Sequence, residues 1–145
     1  MTGTDLDRDA RADITDVLVR YASGVDRRDW ARFRTCFTSD CEADYGDIGV
    51  WRDLDEITDF MERSHALCGR SLHRITNVSI DAADACGAQA RCYVDAVIMG
   101  PDNRSGMRVC GFYDDDLVHT DSGWRIARRR YTMVHMEPVG DAVIL

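Results

Sequence analysis

Histidine, aspartate and tyrosine side chains in the chain could together perform acid–base chemistry. An imidazole can accept a proton at cellular pH, which makes His73 the central candidate for a general base. If Asp26 hydrogen-bonds to one ring nitrogen, it fixes the tautomer and leaves the other nitrogen free to remove a proton. Tyr21 lies five residues before Asp26, just over one helical turn, so both could face one site. Its hydroxyl could polarise a carbonyl or protonate a departing hydroxyl.

Further polar residues on predicted strands could contact a substrate. His135 and Arg129 share one side of the last strand, and an inward arginine could hold a carboxylate or an enolate oxygen. Asn77, four residues after His73, shares its predicted strand face and could hydrogen-bond to a substrate or to backbone. Tyr45 lies near the end of the first predicted strand. The inward side of the last strand stays open, and a packed or solvated position remains the structural alternative for each candidate.

Several kinds of chemistry lack their sequence signals. All 18 basic residues are arginine, so lysine Schiff-base chemistry is excluded. Neither a glycine-rich phosphate loop nor a dinucleotide fingerprint occurs, which predicts no cofactor. Neither an H-x-H nor an H-E-x-x-H motif is present to support a metal site built from His73, His135 and Asp26.

Length and charge narrow the class of protein. A chain of 145 residues suits one domain, spanning 1–145. The net charge of −8 argues against nucleic acid and against anionic membrane surfaces as partners. With an acidic N-terminus and no apolar run of membrane-spanning length, we expect a cytoplasmic location. The six cysteines form no C-x-x-C pair and should pack as small apolar thiols.

The first half of the chain carries helical patterns. Apolar residues from Ile14 to Val25 recur at helical spacing, and Gly24 could loosen or end that helix. Asp29 caps a short second helix, and Asp53 or Asp55 opens a third that ends before Gly69. Two short strands are predicted between the second and third helices, at 41–45 and 48–51.

The second half predicts a run of strands over 71–80, 88–99, 107–119 and 124–136. The turns that join the last three indicate an antiparallel meander. Helices followed by such a sheet predict an α+β fold in which the helices cover one face of a curved sheet. A strongly bent sheet closed by helices forms a cone with one open mouth, the usual shape of an apolar small-molecule site.

Four short segments in this order resemble the nuclear transport factor 2-like superfamily. They are Tyr21-Ala-Ser-Gly-Val-Asp26-Arg-Arg-Asp-Trp30, Phe37-Thr-Ser-Asp-Cys-Glu-Ala-Asp-Tyr45, Leu72-His73-Arg-Ile-Thr-Asn77 and Gly123-Trp124-Arg-Ile126. The resemblance covers nearly the whole chain and includes its SnoaL-like and scytalone dehydratase-like branches. It implies a cystatin-like curved antiparallel sheet that forms a cone, with the N-terminal helices packed over its concave face.

The resemblance also implies a chemistry. The superfamily's dehydratases and dehydrochlorinase use an aspartate on the first helix and a histidine on the third strand, which Asp26 and His73 match. Tyr21 matches a tyrosine five residues before that aspartate in bile-acid dehydratases, and Tyr45 a pocket tyrosine of scytalone dehydratase. The leading hypothesis is therefore a cofactor-independent lyase of the dehydratase type that acts on a small hydrophobic carbonyl compound. His73 would be the base, oriented by Asp26.

Other members of the superfamily keep two alternatives open. An isomerase or polyketide cyclase could use the same base, and Asp95 could take the deeper position that ketosteroid isomerase and limonene epoxide hydrolase use. A non-catalytic ligand-binding or dimerisation domain is the second alternative. Members commonly pair through the outer face of the sheet, so a homodimer or homotrimer is expected.

Overall fold

A computed structural model describes residues 8–82 and 86–141 of the chain. The elements in chain order are α1 (Arg8–Asp26), α2 (Trp30–Arg34), β1 (Phe37–Asp44), a 3-10 turn (Gly46–Ile48), β2 (Val50–Trp51), α3 (Leu54–Ala66), β3 (Ser71–Ala82), β4 (Gly87–Met99), β5 (Ser105–Thr120) and β6 (Gly123–Gly140). The predicted α+β fold is confirmed.

All strands belong to one curved sheet in the order β2-β1-β6-β5-β4-β3. Strands β4 to β6 form the predicted antiparallel meander, β3 pairs antiparallel with β4, and β1 runs parallel to β6. Strand β1 starts four residues before the predicted position, because Phe37 pairs with Ile126 of β6. The segment predicted as a strand at 48–51 instead enters a 3-10 turn and leaves only the two-residue β2.

Side-chain caps fix where the shorter helices begin. The Asp29 carboxylate accepts a hydrogen bond from the backbone N–H of Arg32 at 3.0 Å, as predicted for the N-cap of α2. Asp53, rather than Asp55, caps α3, because its carboxylate accepts from the N–H of Glu56 at 2.8 Å. These caps satisfy backbone donors that a helix leaves unpaired at its first turn.

Gly24 does not end α1, which continues to Asp26. A Cβ atom at Gly24 would lie only 3.0 Å from the backbone nitrogen of Phe33. The glycine therefore lets α1 approach α2 closely, and the two helical residues after it bring Asp26 to the start of β3.

The core lies between the helices and the concave face of the sheet. Ile14, Leu18, Phe33, Ile57 and Ile126 have no exposed surface. Burial of such side chains is the main favourable term in folding. Among the described residues, no helix has the length and apolar character needed to cross a membrane.

Three of the six cysteines, Cys36, Cys41 and Cys92, are buried as free thiols. Burial raises the pKa of Cys41 and of Cys92 to about 11, so both thiols stay protonated at neutral pH. The prediction of small apolar thiols is confirmed for these three, whereas Cys86 is exposed.

Gly111 marks the register shift between β5 and β6, and we expect Gly111→Ala to be destabilising. An added Cβ would overlap the carbonyl oxygen of Thr132 and would lie 2.9 Å from the Tyr131 ring. Overpacking of this kind costs about 1–3 kcal/mol, measurable by urea denaturation. Gly100→Ala is the matched control because its Cβ would meet only one atom, at 3.2 Å, and equal losses in both variants would contradict this reason.

Candidate active site

A cavity of about 900 Å³ opens between the concave face of the sheet and the helices. This volume lies in the upper part of the range for small-molecule sites. Its walls are mainly apolar, and six aromatic or imidazole side chains with a polar atom reach it: Tyr21, Tyr45, His65, His73, Tyr113 and Tyr131. The cavity predicted from the curved sheet is therefore present.

Asp26 and His73 are in direct contact at one end of the cavity. Asp26 is the last residue of α1, and its Oδ1 lies 2.6 Å from His73 Nδ1. Its Oδ2 accepts the backbone N–H of His73 at 2.7 Å. Because an ionised carboxylate only accepts hydrogen bonds, Nδ1 carries a proton, and the neutral form of the ring therefore has its lone pair on Nε2. The structure thus brings the predicted pair together, and among the described residues the other imidazole nitrogen has no hydrogen-bond partner.

The two members of the pair have different surroundings. His73 lines the large cavity, and its side chain is 8% exposed. Asp26 lines a separate cleft of about 360 Å³ between α1 and β3, which His73 also lines. His73 thus lies between the cavity and the cleft, whereas Asp26 lines only the cleft.

Ser71 and Arg28 support the carboxylate. Ser71 Oγ donates to Asp26 Oδ1 at 2.9 Å, and Arg28 Nη1 donates to Ser71 Oγ at 2.7 Å. Burial alone would raise the pKa of Asp26, but the hydrogen bonds from His73 and Ser71 and the charge of His73 hold it below its ordinary value. Sequence reasoning missed Ser71, although its position two residues before His73 places it on the same strand face.

Three tyrosine hydroxyls meet deeper in the cavity. Tyr21 Oη lies 3.0 Å from Tyr45 Oη and 3.4 Å from Tyr113 Oη. Burial raises the pKa of all three well above the ordinary value, so each keeps its proton and can donate a hydrogen bond. The predicted tyrosines Tyr21 and Tyr45 thus line the cavity. Tyr113, on β5, also lines it, but no feature of the sequence indicated this residue.

Arg129 faces the interior but does not line the cavity. Its Nε and Nη2 atoms donate to the two carboxylate oxygens of Asp115, each at 2.8 Å. The guanidinium lies 3.8 Å from the ring centre of Tyr113 and 4.2 Å from that of Tyr21. The prediction of a substrate contact for Arg129 is therefore wrong, because these tyrosine rings separate it from the cavity. Arg129 supports the tyrosines from behind.

Arg129 and Asp115 stabilise each other's charged forms. Burial alone would lower the pKa of Arg129, but the Asp115 carboxylate raises it well above its ordinary value. Burial raises the pKa of Asp115, and the two hydrogen bonds from Arg129 oppose that rise. The bidentate geometry keeps both groups ionised at neutral pH. Among the described residues, Arg129 Nη1 has no hydrogen-bond partner.

His135 lies on the outer face of the sheet, so its predicted substrate contact is wrong. Cys110 pairs with His135 and Gly111 with Met133, which leaves Val134 as an extra residue in β6. This bulge reverses the alternation of side chains beyond it. His135 then points outward, 58% exposed and 3.2 Å from Glu137.

Asn77 and Asp95 also lie outside the cavity. Asn77 is exposed at a second register shift, in β3, with a left-handed φ of 51°, so its predicted substrate contact is wrong. Asp95 is held on the outer face by Arg74 at 3.0 Å and by two hydrogen bonds from Arg108, also at 3.0 Å. Asp95 therefore cannot serve the isomerase-like site considered for it.

We expect acid to weaken the folded state through Asp26. The pKa of Asp26 is lower in the folded protein than the value of about 3.9 for an unfolded chain. Its carboxylate therefore stabilises the fold above that pH, and this contribution is lost as the pH falls through the lowered folded value. Chemical denaturation of the protein and of Asp26→Asn at a series of pH values should show the difference in unfolding free energy shrinking in acid. A difference independent of pH would contradict this expectation.

A family model described as a SnoaL-like domain matches residues 7–130. The chain belongs to this family. Its relatives include the uncharacterized protein Rv2910c of Mycobacterium tuberculosis, which is 30% identical over 122 residues, or 82% of each chain.

Solved structures share the fold of this SnoaL-like protein. Hexachlorocyclohexane dehydrochlorinase LinA-type3 from Novosphingobium barchaimii superimposes with a TM-score of 0.82 at 17% identity, over 94% of each chain. A protein with a cystatin-like fold from Nostoc punctiforme gives a TM-score of 0.76 at 17% identity, over 90% of this chain and 96% of that one. The SnoaL-like fold family includes dehydratases, isomerases and the dehydrochlorinase.

Proposed function

We propose that this protein is a cofactor-independent lyase that eliminates water from a small hydrophobic carbonyl compound. The observation that carries the proposal is the 2.6 Å contact between Asp26 and Nδ1 of His73, a residue that lines the apolar cavity. Within the described part of the chain, its Nε2 has no hydrogen-bond partner. A neutral imidazole held in one tautomer by a carboxylate is an effective general base.

In the proposed reaction, His73 Nε2 takes a proton from the carbon next to the carbonyl. The Asp26 carboxylate stabilises the imidazolium that forms. The electron pair of the C–H bond forms the new C=C bond while the bond to the hydroxyl on the neighbouring carbon breaks. The departing hydroxyl takes the proton of the His73 imidazolium, either directly or relayed through a tyrosine hydroxyl, which forms water and restores the neutral imidazole.

The tyrosine cluster, defined as Tyr21, Tyr45 and Tyr113, supplies hydrogen bonds to oxygen in this proposal. Its hydroxyls can stabilise charge that develops on the carbonyl oxygen or assist the departing hydroxyl. Because burial keeps all three protonated, they act as donors. Donors fixed in a site that excludes water cost little reorganisation during the reaction.

The cavity walls support a hydrophobic substrate. Methionines contribute to several sides: Met61, Met99, Met107, Met133 and Met136 line the cavity. Methionine is flexible and polarisable, so it adapts to ligands of irregular shape and packs well against aromatic rings. An apolar substrate with a few oxygen atoms matches this lining better than a highly charged one.

The proposal is tested with a panel of cyclic β-hydroxy ketones in D₂O, followed by NMR and mass spectrometry. The expected result is enzyme-dependent loss of water from at least one compound and formation of the conjugated enone. Rearrangement without loss of water would identify an isomerase or a cyclase instead. Binding of the compounds with neither reaction nor exchange of the acidic C–H for deuterium would favour a ligand-binding domain.

We also propose that the protein forms a homodimer or homotrimer through the outer face of the sheet. Leu72 and Tyr93 lie on that face and are 47% and 48% exposed. Burial of such apolar surface favours association. Sedimentation equilibrium measures the assembly, and a monomer at micromolar concentration would contradict it.

A further inference from the structure

A second imidazole reaches the cavity, from helix α3 rather than from the sheet. His65 Nδ1 lies 2.8 Å from the backbone carbonyl oxygen of Met61, one turn earlier in the helix. Because a carbonyl oxygen only accepts hydrogen bonds, Nδ1 carries the ring proton. The neutral ring therefore has its lone pair on Nε2. The Trp30 ring packs against the imidazole with 5.9 Å between ring centres, which limits its rotation.

The Nε2 atom of His65 is available to a ligand. Within 8–82 and 86–141 it has no hydrogen-bond partner, and His65 contributes to the cavity wall. Burial lowers the pKa of His65; the Met61 carbonyl opposes this, and the Arg28 guanidinium adds to it. The ring is thus neutral at pH 7, and Nε2 is an acceptor without a donor.

The cavity therefore presents acceptors and donors at different places. The tyrosine cluster offers hydroxyl donors, whereas His65 and His73 each offer an imidazole acceptor. His73 is used by the proposed proton abstraction, which leaves His65 without a role. Within 8–82 and 86–141 no donor pairs with Nε2 of this half-buried side chain, so a ligand that supplies one gains a hydrogen bond there.

We propose that His65 Nε2 is the binding site for a hydroxyl group of the ligand, separate from the group that reacts at His73. The ligand class is a hydroxylated hydrophobic compound, a phenol or an alcohol, whose O–H donates to this nitrogen. The proposal rests on the proposed function only in that both use the same cavity. His65 selects the ligand, and no step of the elimination passes through it.

The experiment compares two probes that differ in one methyl group, 2-naphthol and 2-methoxynaphthalene. Equilibrium dialysis at pH 7 measures their affinities for the protein and for His65→Phe, which keeps a ring to pack against Trp30. The protein should prefer the naphthol by about 3- to 10-fold, the value of one net hydrogen bond, and His65→Phe should lose the preference. His65→Leu is a second variant in case the larger ring disturbs the cavity.

Two controls locate the hydrogen bond. Cys68→Ala changes the same wall without touching the imidazole and should keep the preference. His73→Ala should also keep the preference for 2-naphthol. If the phenol were hydrogen-bonded to His73 instead of His65, this variant would lose the preference. Long-range ¹H–¹⁵N NMR gives an independent measure: 2-naphthol, but not its methyl ether, should shift the Nε2 resonance of His65.

The proposal is overturned if His65→Phe and His65→Leu both keep the preference for 2-naphthol, or if His73→Ala abolishes that preference. It is also overturned if the unmodified protein shows no preference or does not bind 2-naphthol measurably. None of these measurements needs turnover. The two proposals can therefore fail separately. A negative elimination assay would not contradict the hydroxyl site at His65, and absence of that site would not contradict the elimination reaction.

Discussion

Replacement of His73 by alanine should lower kcat/KM for the elimination by about 10²- to 10⁴-fold, the usual contribution of a general base. The variant retains the cavity but lacks the nitrogen that takes the proton. Because the loss falls on the proton-transfer step, kcat should fall while KM changes little. Steady-state kinetics on the substrate found in the β-hydroxy ketone panel provide the measurement.

Two further variants show whether this loss is specific. His135→Ala removes a histidine from the outer face, where it contacts Glu137, and should leave kcat/KM unchanged. Asp26→Asn should also lower kcat strongly, because an amide cannot hold the imidazole and stabilise its charged form in the same way. An undiminished rate in His73→Ala would exclude His73 as the base.

Replacement of Asp115 by alanine should destabilise the fold by about 3–5 kcal/mol, since it leaves the Arg129 charge buried without a partner. Asp115 and Arg129 are 3% and 1% exposed, so water cannot replace the lost carboxylate. Urea denaturation followed by far-UV circular dichroism measures the change in unfolding free energy.

The neighbouring residue provides the matched control. Asp114 pairs with Arg91 on the outer face at 2.6 Å, where solvent screens the interaction. Asp114→Ala should therefore change stability little. The double variant Asp115→Leu/Arg129→Met should recover much of the loss, because no unpaired charge remains. Equal losses of unfolding free energy in Asp114→Ala and Asp115→Ala would contradict the explanation that burial of the Asp115–Arg129 pair causes the destabilisation.

Local sequence patterns determined most of the secondary structure. The apolar spacing in α1, the caps at Asp29 and Asp53 and the turns of the meander all depend on contacts between residues close in the chain. Such contacts form in nearly the same way in any fold, so they can be predicted without coordinates. Two strands departed from the prediction: part of the predicted second strand forms a 3-10 turn, and β1 starts four residues early because Phe37 pairs with β6.

The contents of the cavity were only partly predictable. Tyr21, Tyr45 and His73 could be named because the segments that carry them resemble a known superfamily. Tyr113 lies in a segment without such a resemblance, and only the sheet register brings its hydroxyl to 3.4 Å from that of Tyr21. His65 was overlooked because nothing local distinguishes it from an ordinary exposed residue near the end of a helix.

The sequence by itself therefore determined the order of helices and strands and the α+β class, together with the residue types suited to proton transfer. Tertiary structure alone decided which of them meet. One extra residue in β6, Val134, places His135 on the outer face of the sheet. The bidentate contact with Asp115 holds Arg129 behind the tyrosine rings. Bulges and buried ion pairs depend on partners distant in the chain, so side-chain alternation along a single strand cannot reveal them.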